Sequence, residues 1–412
     1  MNNKIKAAVA GAVLASASVA NAGITWDAGE WTVDMNGNVN AFAVYADNKD
    51  SGGAIQGGLA NSAGANDAEE ASIQTGLLPS WLGFTATTRQ NDIDTSVTIS
   101  FQPGAGNTRA LAGGNSSNAE TENRQAFLTF GDKSWGSIKV GKDLGIFGST
   151  AILNDMTLLG VGSNGAGTNN GSTTTTLGGI GTGYLYADWI GQIAYTTPNM
   201  NGLSLTVGIT QPWNSIALSS NSNTSSGTTD QYGFQGQGSF SWTGDFAGKV
   251  WAGFFSQEVT GIDNGAGGTT DNRSNAMEVG VSTSIYNINL VGYAYSGEGV
   301  GTTALLVDAF DGAGNERDSD GGYVQATYVI PMGTKLGVSY GISKLDDNSA
   351  DTDLGADSNL VKENTRLTVG AYHPLTKHLN LVAEYSRVES EAHANLGDLE
   401  TDIMSVGAIL FF

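Results

Sequence analysis

Residues 401–412 read TDIMSVGAILFF, and this stretch decides the fold. Met404, Val406, Ala408 and Leu410 fall two apart, so on an extended chain they share one continuous apolar face. Ser405, Gly407, Ile409 and Phe411 make the other, more mixed face. The stripe is about the length of a tilted strand that crosses a bilayer, roughly nine to eleven residues. A soluble domain seldom finishes on two unprotected phenylalanines, and no helical pattern lies nearby to cover the stripe. Its expected partner is lipid.

The other end of the chain says which lipid. Residues 1–22 have a basic start (Lys4, Lys6), an apolar stretch over 7–20 and a small-residue ending, Val-Ala-Asn-Ala, the layout of a cleaved secretory signal. The segment is too short and too rich in Ala and Ser for a spanning helix, which needs about 20 strongly apolar residues. Cleavage is expected after Ala22, leaving residues 23–412 as one domain. No later apolar run reaches helical spanning length, so the chain reads as exported and not as a helical membrane protein.

Composition narrows the class. With 40% hydrophobic residues and a mean hydropathy of -0.13, the 412-residue chain is too polar for a bundle of membrane helices and too apolar for disorder. A wall in which every second residue meets water gives that average. The absence of cysteine removes disulfides as a source of stability, so backbone pairing must supply it. A closed barrel does so without leaving an edge. Loss of residues 1–22, which carry Lys4 and Lys6 and no acid, takes the formal charge from -22 to -24. Nucleic acid is excluded as a partner by that charge. Acid-rich stretches such as 346–357 read either as solvated loops or as the source of a field that favours cations.

Period-two patterning resolves the mature chain into sixteen strands, over 31–46, 81–89, 95–102, 124–131, 137–143, 190–197, 203–211, 231–242, 249–259, 276–286, 288–296, 322–330, 335–344, 365–373, 379–388 and 401–412. Tight turns built from Gly, Asn, Asp, Pro and Lys alternate with long connections. A soluble sandwich would not sort its loops so cleanly between two ends; a transmembrane barrel does. The expectation is an all-β, sixteen-stranded antiparallel barrel whose last strand pairs with both 379–388 and the first strand. Strand parity points Asn380, Glu384, Ser386, Arg366, Thr368, Lys139 and Asp143 inward, and Leu381, Leu367, Val369, Ile138 and Val140 outward. Trp31, Tyr45, Trp81, Trp135, Trp242, Tyr286, Tyr328 and Phe412 fall near strand ends, where aromatic girdles form.

The longest connection, 144–188, differs in kind. It opens on an apolar, helix-compatible segment, LGIFGSTAILNDMTLL, with Asp155 as its single charge, and continues into a Gly/Ser/Thr tract from 160 to 183. An apolar loop start is expected to fold into the barrel and narrow it. Tyr184, Tyr186 and Trp189 near the loop's end form a weak aromatic track of the kind a sugar-specific channel would use.

At this point the residues carry a family likeness. Arg124-Gln-Ala-Phe-Leu-Thr-Phe-Gly followed by Trp135-Gly-Ser-Ile-Lys-Val-Gly-Lys142 resembles the segment before the constriction loop of Gram-negative general diffusion porins. Trp81-Leu-Gly-Phe resembles their second-strand motif, and Ile193-Ala-Tyr-Thr-Thr-Pro-Asn-Met-Asn-Gly-Leu resembles a later strand and turn. The resemblance implies a trimeric outer-membrane channel in a Gram-negative cell, carrying small hydrophilic solutes and ions past loop acids that face basic wall residues. It also implies that the assembly machinery reads Phe412 as an address. Arg124 matches one basic ladder position, whereas Trp81 and Asp188 stand near two others. With that ladder depleted, Asp155, Asp143 and Asp188 are the expected constriction acids, and Arg124, Lys139 and Arg366 the expected basic wall residues. Glu384 and Trp81 complete the expected wall. The resulting expectation is a cation-preferring pore.

Rival readings are a substrate-specific channel, an adhesin or an outer-membrane enzyme. Only three histidines are present, His373 and His378 beside a turn and His393 near Glu391, and no nucleophile elbow, phosphate loop or HExxH motif accompanies them. No cofactor or metal is expected, since the acidic loops lack EF-hand spacing.

Overall fold

The computed structural model describes residues 23–50, 52–63, 69–106, 121–164, 175–216, 226–264, 266–348, 359–393 and 397–412. The signal segment 1–22 and the centre of the Gly/Ser/Thr tract lie outside the described residues. Eighteen strands form one antiparallel sheet. The first group is β1 (Ile24–Ala28), β2 (Trp31–Asn48), β3 (Glu69–Gln74), β4 (Trp81–Gln90), β5 (Ile93–Pro103) and β6 (Thr121–Asp132). Next come β7 (Gly136–Leu144), β8 (Trp189–Thr196), β9 (Leu203–Thr210), β10 (Gly233–Trp242), β11 (Phe246–Asp263) and β12 (Thr269–Ile285). The last are β13 (Ile288–Glu298), β14 (Asp318–Val329), β15 (Lys335–Leu345), β16 (Val361–Pro374), β17 (Leu379–Ala392) and β18 (Leu399–Phe411).

β2 and β4 to β18 are the sixteen expected strands. Each pairs with its sequence neighbour, and the sheet closes where β18 meets β2, from Thr401 opposite Asn48 to Phe411 opposite Asn38. The two strands that period-two reading missed do not add staves. β3 and β4 share one edge of β2, the first opposite residues 42–47 and the second opposite 32–38. β1 takes the other edge below β18, with Ile24 opposite Met35. The wall is therefore a closed sixteen-stave barrel, with no unpaired edge left at the seam to face lipid.

The turns follow from local chemistry. Asn91 and Asp92 both sit at positive φ, 49° and 63°, which makes the two-residue turn between β4 and β5 one whose twist matches its strands. Outward parity is as expected: Met404, Val406, Leu410, Leu381, Leu367 and Val369 are exposed, as befits a face that meets lipid. Tyr45, Trp135, Tyr286 and Tyr328 are exposed in the same way. Trp81 departs from the girdle reading. It lies opposite buried Asn38 on the lumenal side, donates its indole N–H to Asn36 Oδ1 at 3.2 Å and meets Phe411 edge to face.

Candidate functional site

The lumen is shaped by the connection between β7 and β8. Its base is closed by Gly145 N donating to Asp188 O at 2.8 Å. A short helix, α1 (Ser149–Asn154), and a 3-10 turn over Met156–Leu159 follow, both turned into the barrel with Ala151, Ile152, Met156 and Leu158 buried. The expected infolding is thus present, with its helical segment confined to 149–159.

A loop placed inside a barrel must still satisfy its backbone N–H groups. Wall side chains supply the acceptors. Gln235 on β10 accepts from Ile146 N and Phe147 N at 2.8 and 2.9 Å. Glu278 on β12 accepts from Gly148 N at 3.0 Å, and also from Gln237 and the Tyr293 hydroxyl. Gln325 on β14 accepts from Met156 N at 2.6 Å, and the Tyr323 hydroxyl donates to Ala151 O. Glu384 on β17 accepts from Val161 N at 2.7 Å, Gly162 N at 2.9 Å and the Tyr372 hydroxyl at 2.6 Å. These wall groups hold the loop's two flanks, and a Cβ at Gly160 would overlap the Glu384 carboxylate.

A second segment enters the lumen beside it. Between β3 and β4 the chain leaves the wall over 75–80, and Leu77 N and Leu78 N donate to Gly160 O and Leu158 O. Asn38 and Asn40 of β2 hold it by donating to Pro79 O and Leu78 O, each at 2.9 Å. Leu77 and Leu158 join Phe42, Tyr372, Val382, Ile409 and Phe411 in one buried apolar cluster inside the barrel. The sequence signal for this insertion was Leu77-Leu78-Pro79, an apolar pair ended by a residue that cannot donate to a sheet.

The opposite wall is wet. On β4 to β9 several lumenal positions are small and polar, and Thr85, Thr98, Thr196 and Thr206 are half-buried while their outward neighbours Val97, Ile99, Leu205 and Val207 are exposed on the other face. Hydroxyls pair across adjacent strands: Thr85 with Thr98 at 3.0 Å, Ser96 with Thr129 at 2.6 Å and Thr196 with Thr206 at 2.9 Å.

The sequence-expected charged residues separate between these two environments. Asp155 lies on the infolded loop, but its carboxylate is turned into the packing. It accepts from Thr157 N, Gly179 N and the Tyr184 hydroxyl and lies 3.9 Å from the equally buried Arg366. It is not an acid presented to open water. Arg366 also reaches Thr182 and Thr368. Asp143 and Lys139 form an ion pair on the wet wall, with Gln125 donating to Asp143 at 3.0 Å. Arg124 is buried beside a register shift between β5 and β6, ion-paired to Glu122 at 2.6 Å and set over the Trp189 ring. Asp188 caps Trp189 N at 2.7 Å and accepts from the Trp213 indole at 3.4 Å. Glu384 latches the loop and Phe412 closes the seam through paired backbone bonds to Gly37, each at 3.0 Å.

Of the expected aromatic track, Tyr184 is out of water, whereas Tyr186 and Trp189 stay partly exposed. Tyr184 is fully buried against Tyr323, and burial together with the Asp155 carboxylate pushes its phenol well above the usual range; burial likewise pushes Tyr186 up to about 12. Two of the three histidines are engaged locally. His373 Nδ1 meets Thr334 Oγ1 at 3.0 Å, and His393 Nε2 donates to Leu345 O at 2.7 Å. No group of three or more His, Cys, Asp or Glu side chains able to hold a metal ion occurs among the described residues.

A closed antiparallel barrel, apolar outside and polar within, narrowed by an infolded loop, defines a transmembrane channel of the outer membrane. A family model described as Gram-negative porin matches residues 7–393, and the chain belongs to that family. It is an outer-membrane channel for diffusion. No curated protein matches the chain. Among solved structures, the outer-membrane channel DcaP of Acinetobacter baumannii is similar over 95% of this chain and 100% of its own, with a TM-score of 0.68 and 17% identity. The anion-selective porin from Comamonas acidovorans is similar over 93% and 100%, with a TM-score of 0.59 and 13% identity. OmpF of Salmonella typhi, in complex with daunomycin, is similar over 94% and 100%, with a TM-score of 0.57 and 16% identity. At such identities the likeness is one of fold.

Proposed function

We propose that this channel passes small hydrophilic solutes and ions passively, prefers cations and works as a homotrimer. The observation that carries the reading is the division of the lumen into a packed half that fixes the loop and a half-exposed polar wall that leaves a water path. Cation preference is supported by the mature charge of -24 and by the acids at the long-loop end, where Asp50, Glu363, Glu389, Glu391, Asp398 and Glu400 line a groove on the outward side of β16 to β18. A negative field at that end raises the local concentration of cations. The trimer is supported by the family and by the trimer form of OmpT of Vibrio cholerae, a structure similar to this one with a TM-score of 0.53. Removal of residues 1–22 and recognition of Phe412 by the assembly machinery complete the proposal.

Planar-bilayer recording tests it. Ohmic conductance with a zero-current potential of cationic sign in a KCl gradient is expected. A potential of anionic sign would refute the preference, and three-step closure at high voltage is the expected signature of three conducting subunits. Deleting Phe412 should lower the amount of folded protein in the outer membrane; undiminished assembly would remove its role as an address.

A further inference from the structure

We propose that the wall formed by β4 to β9 is a track for uncharged, hydroxyl-bearing solutes, small sugars and polyols, which it admits ahead of ions of the same size. The proposal rests on the channel reading above and names its substrate class.

Two features of that wall carry it. The first is its charge. Each lumen-facing basic group described on it is paired with an acid: Arg124 with Glu122, Lys139 with Asp143, and Arg89 with both Asp94 at 2.7 Å and Asp132 at 3.0 Å. The Arg124 and Lys139 pairs cancel at a distance and the Arg89 cluster keeps a single net negative charge, so an anion entering the narrow passage loses hydration without gaining a counter-charge and a cation gains little. The acids that could have supplied one inside the lumen, Asp155, Glu278 and Glu384, are buried and occupied by loop N–H groups and tyrosine hydroxyls.

The second feature is the hydroxyl pairs. Each hydroxyl carries one donor and two acceptor sites. A pair such as Thr85–Thr98 or Thr196–Thr206 spends one donor and one acceptor on itself, leaving one donor and three acceptor sites for the lumen. A surface with both functions exchanges water for a sugar hydroxyl at little enthalpic cost, since each water bond is replaced in kind. A cation can use only the acceptors and an anion only the donor, whereas a sugar hydroxyl uses both. The half-exposed pairs lie on β4/β5 and β8/β9, so the sector offers such a surface at two places, with the buried Ser96–Thr129 pair of β5/β6 between them.

Efflux of glucose, gluconate and glucosamine from proteoliposomes containing the full-length protein, with KCl present to balance charge, tests the idea. These solutes share a six-carbon frame and differ in charge. Glucose is expected to leave several-fold faster than either charged relative, and the double variant Thr98→Val/Thr206→Val is expected to slow glucose by about three- to tenfold relative to K⁺ conductance, the effect of one or two lost hydrogen bonds. Equal rates for the three solutes, or an unchanged glucose-to-K⁺ ratio in the variant, would overturn the proposal while leaving the channel intact. Passage of neither glucose nor K⁺ would instead overturn the channel reading itself.

Discussion

Two hydroxyl pairs of the same chemistry sit on either side of the seam strands β18 and β2. Thr368 and Ser386, on β16 and β17, are 2.7 Å apart and almost wholly buried beside Arg366; Thr85 and Thr98, on β4 and β5, are 3.0 Å apart and half-exposed. Both are lumenal by strand parity, and both satisfy a sheet's preference for cross-strand polar pairs. What separates them is cover. The first lies under the infolded loop and serves as structure, whereas the second faces water and is free to meet solute. The half of the lumen around β14 to β18 and β2 is in effect a protein core built inside a membrane barrel, and the proposed passage runs along β4 to β9.

If that division is right, substitutions on the packed side should cost stability and those on the wet side should alter transport. The largest effect is expected for Glu384→Ala, which strips a buried acceptor from Val161 N, Gly162 N and the Tyr372 hydroxyl. A loss of about 3–5 kcal/mol in unfolding free energy is expected, with larger or noisier single-channel current from a released loop. An unchanged denaturation midpoint and an unchanged current would break the comparison.

Phenylalanine offers a paired test. Phe42→Ala, in the buried lumenal cluster, should cost about 3–4 kcal/mol, while Phe127→Ala on the wet wall, half-buried already, should cost about 1 kcal/mol. Equal costs measured by urea denaturation in detergent would show that the two sides are packed alike. A smaller and different effect belongs to Lys139→Ala. It leaves the buried Asp143 carboxylate without its ion-pair partner, so the zero-current potential should move toward stronger cation preference. No shift in potential would place that ion pair away from the conducting path. The smallest expected effect on stability is that of Thr206→Val, within about 0.5 kcal/mol, because its hydroxyl is half-exposed and water can replace its partner.

Much of the wall was legible in the sequence, because side-chain direction along a strand repeats every two residues and lipid selects one phase of that repeat. That logic turned Arg366, Glu384, Lys139 and Asp143 inward and Leu381 and Val406 outward, as the structure does. β3 escaped it because its six residues, EEASIQ, carry too little apolar alternation to stand out from a loop. β1 escaped because five residues next to a turn give too short a pattern. Glu278, which latches the loop with Tyr293, reads in sequence as one more inward polar residue of β12, and its role exists only because Gly148 arrives from a segment 130 positions earlier.

The sequence by itself determined that sixteen staves close into an exported barrel, which face meets lipid and which connection is apolar enough to fold inward. The tertiary structure decided the rest: that Asp155 is consumed in packing, that 75–80 leaves the wall to join the loop, and that Thr85, Thr98, Thr196 and Thr206 stay half-exposed. The physical reason is that period two fixes the direction of each side chain locally, whereas the cover over a lumenal side chain comes from backbone far away in the chain. An inward threonine becomes structure or passage according to which loop reaches it.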